Sequence, residues 1–550
     1  MNKAISVLRK PSGFRSSYEN WKHRRRTIQF AKKIAENSTP DPQQSPVVFF
    51  NASARLGSFS QNAAFSLLTS WGLRLAGTPI IHFVCQAGLS PCVLGTNRED
   101  ITTPPPCNSC LALSTEIYSH SNVRFFNYRP DTDLALKLEN LTVEESCDFE
   151  YQSRIPYIPA IPIGKLVLPS ARWALRRHHL EDNPQNRYLL KQYILSAKSV
   201  IDQFNQLIDE VQPSATVIFN GIMYPEASTR WIAQARGIKV LTHEVGFQRF
   251  SAFFSQGDAT AYPIDIQEDF ELSDEQNKRL DIYLEQRFQG KFTMAGIRFW
   301  PEMHGLDENF HQKASTFRQI VPVFTNVVYD TSQVHANVVF PHMFAWLDMI
   351  LELIRIHPNT LFVIRAHPDE MRPGTFKQSR ETVEDWVRRN KVNEFPNVVF
   401  IQSQEYISSY ELIQRAKFIM VYNSSIGLEA ALMGKPVLCA GKARYTQYPI
   451  VWFPENQEAF RLQAQAFLKD EQSEFPPEYQ NNARRFLYYQ LYLASLSFED
   501  YLETGSRAGF VHLKSFDWRH LLPQNSQTID TIIKGILEEK PFLLTEDVTK

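Results

Sequence analysis

Long apolar runs are missing from this 550-residue sequence. No window of eighteen or more apolar residues occurs, and the opening MNKAISVLRKPSGF lacks the apolar core of a signal peptide, so a membrane-spanning helix is not expected and the cytosol is the expected compartment. An excess of one charge sign is also missing: 58 Lys and Arg stand against 59 Asp and Glu, a formal net charge of −1. Nucleic acid is therefore not an expected partner. Cysteine is scarce, with six in the whole chain, which excludes a secreted disulfide scaffold. There is no solenoid-period repeat, and the one proline cluster, ITTPPPCNSC, reads as a loop. A dinucleotide-type glycine fingerprint is absent too, which disfavours an NAD enzyme.

What remains is a globular composition, 43% hydrophobic and 21% charged, with a 13% share of aromatics that suits deep clefts. The length calls for two domains with embellishments. SPVVFFNAS reads as a buried strand, NAAFSLLTSWGLRLAG as a helix and TPIIHFVC as a second strand. After a cysteine-bearing region the pattern resumes with a long helix from Tyr188 to Gln212, then SATVIFNG, YPEASTRWIAQARG and IKVLTHEVGF. A polar helical passage, DIQEDFELSDEQNKRLDIYLEQRFQG, marks a boundary. Five strand-helix steps with short connections then run from about Gln319 to about Pro454. This alternation predicts an α/β protein made of two Rossmann-like doubly wound domains facing a cleft, followed by C-terminal helices. The expected divisions are a basic helical segment (1–44), an N-terminal α/β domain (45–317) with a Cys-rich loop (85–110), a C-terminal Rossmann-like domain (318–480) and a helical tail (481–550).

The helix ENWKHRRRTIQFAKKIAEN carries Lys22, Arg24, Arg25, Arg26, Lys32 and Lys33 beside Trp21, Ile28, Phe30 and Ile34. It reads first as an amphipathic helix packed on the body. The second reading is peripheral contact with anionic headgroups on the inner membrane surface.

Two strands of the second domain stop abruptly at polar residues: LFVIRAHPDE at Leu361 to Glu370 and FIMVYNSSIGLEAALMGKPVLCAG at Phe418 to Gly441. Strand C-terminal ends in such sheets are where ligands bind. Asn423, Ser424 and Ser425 stand where a strand turns into a helix, and hydroxyls with unpaired amides make an anion site there. His367 can donate to phosphate, and Arg365 can add charge. Plain alternatives stand beside these: His367 satisfied by backbone, Ser424 and Ser425 only capping the helix, and, on and after that helix, Glu429 only complementing its dipole and Lys435 a solvated turn residue.

RAHP (Arg365 to Pro368) and YNSSIGLEAALMGKPV (Tyr422 to Val437) resemble the capsule polysaccharide biosynthesis family, whose better-known members transfer Kdo from CMP-Kdo. The His-Pro and Ser-Ser elements are also similar to those of bacterial sialyl- and polysialyltransferases that use CMP-sialic acid. TNVVYD (Thr325 to Asp330) looks like the opening of the family's donor domain. The likeness covers Gln319 to Pro454 well and the first domain loosely. It implies a GT-B glycosyltransferase whose donor site holds Arg365, His367, Asn423, Ser424, Ser425 and Glu429, with Glu429 accepting from ribose hydroxyls. It also implies no obligatory catalytic metal, and either stereochemical outcome.

A sugar transfer needs a base for the acceptor hydroxyl and neutralisation of the departing phosphate. The base is expected across the cleft, from Glu244 in LTHEVGF, Glu226 in NGIMYPEAS or Asp258 in SQGDATAY, with Glu244 first because it ends a strand. Asn220 and Gly221 end the preceding strand beside it. Each carboxylate taken singly also reads as a cap or a surface group.

Four of the six cysteines fall in CQAGLSPCVLGTNREDITTPPPCNSC, as C-x6-C-x14-C-x2-C: Cys85, Cys92, Cys107 and Cys110. A structural zinc is the first expectation and an iron–sulfur cluster the second, beside plain thiols and disulfides. Cys147 and Cys439 read as ordinary buried thiols.

The expected function is transfer of a sugar from a nucleotide-sugar, CMP-linked, to a surface or capsular polysaccharide or a lipid-linked precursor. The rivals are a UDP-sugar transferase or 2-epimerase relative, a CDP-glycerol-type phosphotransferase, and a non-catalytic sugar-binding assembly subunit.

Overall fold

A computed structural model describes residues 12–52, 59–289, 303–372, 378–469, 474–505 and 509–545. Part of the polar loop following the first strand, 53–58, lies outside them. The first domain is built on β1 (Val47–Asn51), β2 (Ile80–Cys85), β3 (Val123–Phe126), β4 (Ala215–Phe219), β5 (Lys239–Val245) and β6 (Ser251–Ser255). The second is built on β7 (Gln319–Phe324), β8 (Thr360–Arg365), β9 (Val398–Ile401), β10 (Ile419–Val421) and β11 (Val437–Cys439). A late strand, β12 (Leu496–Ser497), returns to the first sheet.

The first sheet runs β12-β6-β5-β4-β1-β2-β3, parallel from β5 to β3 and antiparallel at the β5-β6 and β6-β12 pairs. The second runs β9-β8-β7-β10-β11 and is parallel throughout. β1 and β8 are buried on both faces, which is why their sequences are continuous apolar runs rather than alternating ones. The two interrupted strands of the sequence, β8 and β10, flank β7 on either side, so His367 and Asn423 leave one rim of one sheet.

Helices cover both faces of the first sheet. Helix Pro184–Val211 starts where the Asn183 side chain accepts from the amide of Asn186, with proline in the first turn. Helix Gln527–Glu538 returns to the first domain, and a Cβ on Gly72 would lie 2.6 Å from Ile529 Cγ2, so only glycine admits that approach. From Leu496 onward the tail is thus part of the first domain's core, whereas Ala483 to Ala494 pack into the core of the second.

The basic helix, Ser12–Glu36, buries Phe30, Ala31 and Ile34 against that core. Arg24 turns to Glu116, and Arg26 donates to the Leu513 carbonyl at 2.5 Å. Lys22, Arg25, Lys32 and Lys33 stay exposed, with Arg25 over the half-exposed ring of Trp21. Among the described residues no helix is long and apolar enough to cross a membrane.

Candidate active site

A cleft of about 640 Å³ lies between the domains and is lined by both. From the first domain come Ser60, Asn62, Trp173, Arg176, Glu244 and Phe247. Across it stand Asn326, Asp330, His335, His367, Arg372, Asn423, Ser424, Ser425, Lys442 and Arg444. A second cavity of about 310 Å³ opens into the first domain and shares Glu244, Trp173, Asn62 and Asp330 with the cleft. Glu244 therefore stands at the junction of the two spaces.

The carboxylate of Glu244 is fixed there. Oε2 accepts from Asn220 Nδ2 at 2.6 Å and Oε1 accepts from its neighbour's amide, Val245 N, at 2.8 Å. Asn220 holds the left-handed conformation, φ 60°, and its Oδ1 accepts from the Ile222 amide, which points Nδ2 at Glu244. Gly221, at φ +82°, completes the turn. Beside Glu244, burial pushes the His243 imidazole down to about 3, so it is neutral. Glu226, in the first turn of helix Tyr224–Ala235, lines the inner cavity only.

On the facing rim, His367 Nδ1 accepts from the Asp369 amide at 3.1 Å, which leaves the proton on Nε2. Burial lowers its pKa, against the pull of Asp369 and Asp330, so the neutral, Nε2-protonated ring is the working form. The plain reading of this histidine is half right: the backbone satisfies one nitrogen while the ring still lines the cleft. Asn423 Oδ1 accepts from Asn326 Nδ2 at 2.7 Å and from Gln333 Nε2 at 3.1 Å, so the ends of β7 and β10 and the short helix Gln333–Ala336 are tied at one point. Neither Ser424 nor Ser425 caps helix Ile426–Leu432 through its side chain. The helix has seven residues, so side chains rather than a long dipole must supply the polarity.

Three expected site residues lie elsewhere. Arg365 is 2% exposed and turns under the sheet, donating to Ser409 Oγ at 3.0 Å and to the Glu405 carbonyl at 3.2 Å. It sits inside the strand, where the helix covering that face takes its side chain. Glu429 is held by Arg287 Nη2 and Tyr410 OH, both at 2.6 Å, and faces a 40 Å³ cavity behind the cleft rather than the cleft itself. Asp258 accepts from Arg230 at 2.9 Å and from His335 Nε2 at 2.8 Å. Burial would raise its pKa, but His335, Thr260 and Arg230 bring it down to about 2, which makes it a strut between domains and a poor base.

Residues that the sequence reading passed over supply the charge. Arg176 ends helix Ile163–Leu175 in the left-handed conformation, 4.0 Å from the Trp173 ring and 4.7 Å from that of Tyr329. Arg444 lies 4.5 Å from Phe247 and 5.1 Å from Tyr262, half-buried between the cleft and the 40 Å³ cavity that Glu429 faces. With Arg372 and Lys442 these make four cations, against Glu244, Asp330 and Asp369. No single sequence signal marks them, because each reaches the cleft only once the domains meet.

The four clustered cysteines sit beside the inner cavity, which Cys92 lines. None of the six cysteines is in a disulfide. Among the described residues no group of three or more His, Cys, Asp or Glu stands ready to hold a metal ion, so the expected ligand set is not preformed. Of the two thiols expected to be buried, Cys439 is and Cys147 is only partly so.

Residues 293–467 match the model of the capsule polysaccharide biosynthesis protein family. No curated protein matches. Among solved structures, the chain is similar to Thermosulfurimonas dismutans KpsC, beta Kdo 2,4 transferase, at 12% identity over 56% of this chain and 87% of that one, with a TM-score of 0.33. The beta Kdo 2,7 transferase of the same organism's KpsC gives 13% identity over 62% and 90%, with a TM-score of 0.33. The UDP-GlcNAc 2-epimerase of Neisseria meningitidis gives 12% over 80% and 94%, with a TM-score of 0.24.

Proposed function

Taking residues 293–467 as a capsule polysaccharide biosynthesis domain, we propose that the chain is a glycosyltransferase that moves a sugar from a nucleotide-sugar to a glycan or glycolipid acceptor. The observation that carries this is Glu244, a fixed carboxylate from one sheet, standing on the same cleft as His367, Asn423, Ser425 and the cations of the other. The nucleotide lies along the rim of β7, β8 and β10. His367 Nε2–H, the Asn423–Ser425 turn, Lys442 and Arg444 neutralise the departing phosphate, the charge that grows in the transition state. The acceptor enters the inner cavity past Trp173, and Glu244 takes its hydroxyl proton as the new bond forms.

The donor is CMP-linked, a reading supported by the likeness of the His-Pro and Ser-Ser turns to enzymes that use such donors. The acceptor is a surface or capsular polysaccharide or its lipid-linked precursor, and the exposed Lys22, Arg25, Lys32 and Lys33 give the chain a face for anionic headgroups. Thermal-shift titration with CMP, CDP and UDP tests the donor class. Stabilisation by the cytidine nucleotides is expected, and a response to UDP alone overturns the CMP assignment.

A further inference from the structure

We propose that Cys85, Cys92, Cys107 and Cys110 bind one structural zinc ion, a tetrathiolate site that staples the loop walling the inner cavity. Residues 86–106 contain no helix or strand. An irregular stretch of that length inside a compact domain calls for something to hold it. It is not peripheral: Leu89, Cys92, Val93 and Leu94 form part of the cavity wall.

The two upstream thiols share one local geometry. Cys85 Sγ accepts from the amide of Gly88 at 3.3 Å, and Cys92 Sγ accepts from the amide of Gly95 at 3.1 Å. The same three-residue turn thus aims a backbone N–H at each sulfur and fixes where each sulfur lies. The glycine at each third position is enforced by packing. A Cβ on Gly95 would lie 2.8 Å from Cys92 Sγ and 2.5 Å from Pro105 Cβ, so the Cys92 sulfur already abuts the segment that leads into Cys107. Cys107 and Cys110 follow in the first turn of helix Cys107–Ile117, at the i, i+3 spacing that puts both on one face. All four sulfurs lie within electrostatic reach of one another.

Four soft sulfur donors select zinc over hard cations. Tetrahedral coordination at about 2.3 Å per Zn–S bond needs the sulfurs to come within roughly 4 Å of each other. They do not yet converge, since no three donors among the described residues are in place. Coordination requires the half-buried Cys107 and Cys110 at the helix start to turn toward Cys85 and Cys92. Uptake of Zn²⁺ replaces the four thiol protons, which leave to solvent.

The test is metal analysis of the full-length chain expressed with added zinc. About one zinc per chain is expected, lost in Cys107→Ser/Cys110→Ser and retained in the control Cys147→Ser. No zinc in the wild-type chain overturns the proposal, as does full retention in the double variant. Iron with acid-labile sulfide in its place overturns the zinc assignment. If the double variant fails to fold, Co²⁺ added to the apo wild-type chain decides: sulfur-to-cobalt charge-transfer absorption is expected, and its absence overturns the site. None of these readouts depends on sugar transfer, so they stand apart from the functional assignment.

Discussion

Asn220 donates to Glu244 Oε2 across 2.6 Å from a backbone position whose own turn fixes the direction of its amide. The bond favours the ionised carboxylate, the form a base needs. Glu244→Gln is therefore expected to lower the transfer rate by about 10²- to 10⁴-fold while leaving nucleotide affinity unchanged. Asn220→Ala is expected to cost less, lowering kcat by up to about 10-fold through a less well oriented carboxylate while nucleotide affinity stays unchanged. An Asn220→Ala variant with wild-type kcat argues that the bond does not position the base.

Asp258 ties the domains together through Arg230 on its own side and His335 across the cleft. Removing it strands the partly buried Arg230 guanidinium and takes a hydrogen-bond partner from His335, so Asp258→Ala is expected to cost about 3 kcal/mol at pH 7 in a denaturant titration. Its pKa of about 2 lies below the ordinary 3.8. Its contribution is thus complete above pH 3.8 and lost as pH falls through 2. The gap between wild type and variant should hold from pH 7 to pH 4 and narrow below that.

Glu370 is the opposite case. It is 1% exposed, and burial raises its pKa to about 8, although Oε1 accepts from the Val383 amide at 2.8 Å. The folded chain holds the proton that the unfolded chain releases near 4.5. Stability from this group is full below 4.5 and declines as pH rises through 8. Glu370→Gln keeps an acceptor for Val383 and carries no charge. Thermal unfolding should find it level with wild type near pH 4 and more stable by a few kcal/mol near pH 8, at about 1.4 kcal/mol per unit.

Gly427 lies under Tyr445, whose hydroxyl donates to the Ser424 carbonyl at 2.7 Å and would meet any Cβ placed there. Gly427→Ala is expected to destabilise by about 1 to 3 kcal/mol and to weaken nucleotide binding by displacing the Asn-Ser-Ser turn. Tyr445→Phe in the same chain should recover part of the stability. A Gly427→Ala variant with unchanged stability would mean that the ring moves freely.

Much of this was legible in the sequence, for physical reasons. β8 and β10 are buried runs with short connections, so their ends could be placed on one rim, and His367, Asn423, Ser424 and Ser425 do line the cleft. Arg365 stands two positions before His367, yet its side chain goes to Ser409 and the Glu405 carbonyl rather than to the cleft. The strand ends at Arg365 and the chain turns at Pro368, so the alternation does not continue. Asp258 and Glu429 could not be read correctly from their surroundings in sequence, because His335 and Arg287 reach them from remote segments. Helix Ile163–Leu175 was hidden by Pro169 in its middle, and β12 by being two residues long. The cleft cations Arg176, Arg372 and Arg444 became visible only with the domains together.

The most direct measurement is mass spectrometry of products after the full-length chain is offered a panel of nucleotide-sugars with glycan and glycolipid acceptors. His367→Ala and Glu244→Gln are run in parallel. The expected result is one glycosylated product from a CMP-linked donor, lost in both variants, with donor affinity reduced only in His367→Ala. Full activity and donor affinity in His367→Ala, or no sugar transfer from any nucleotide-sugar, would contradict the assignment of this cleft as a glycosyltransferase site.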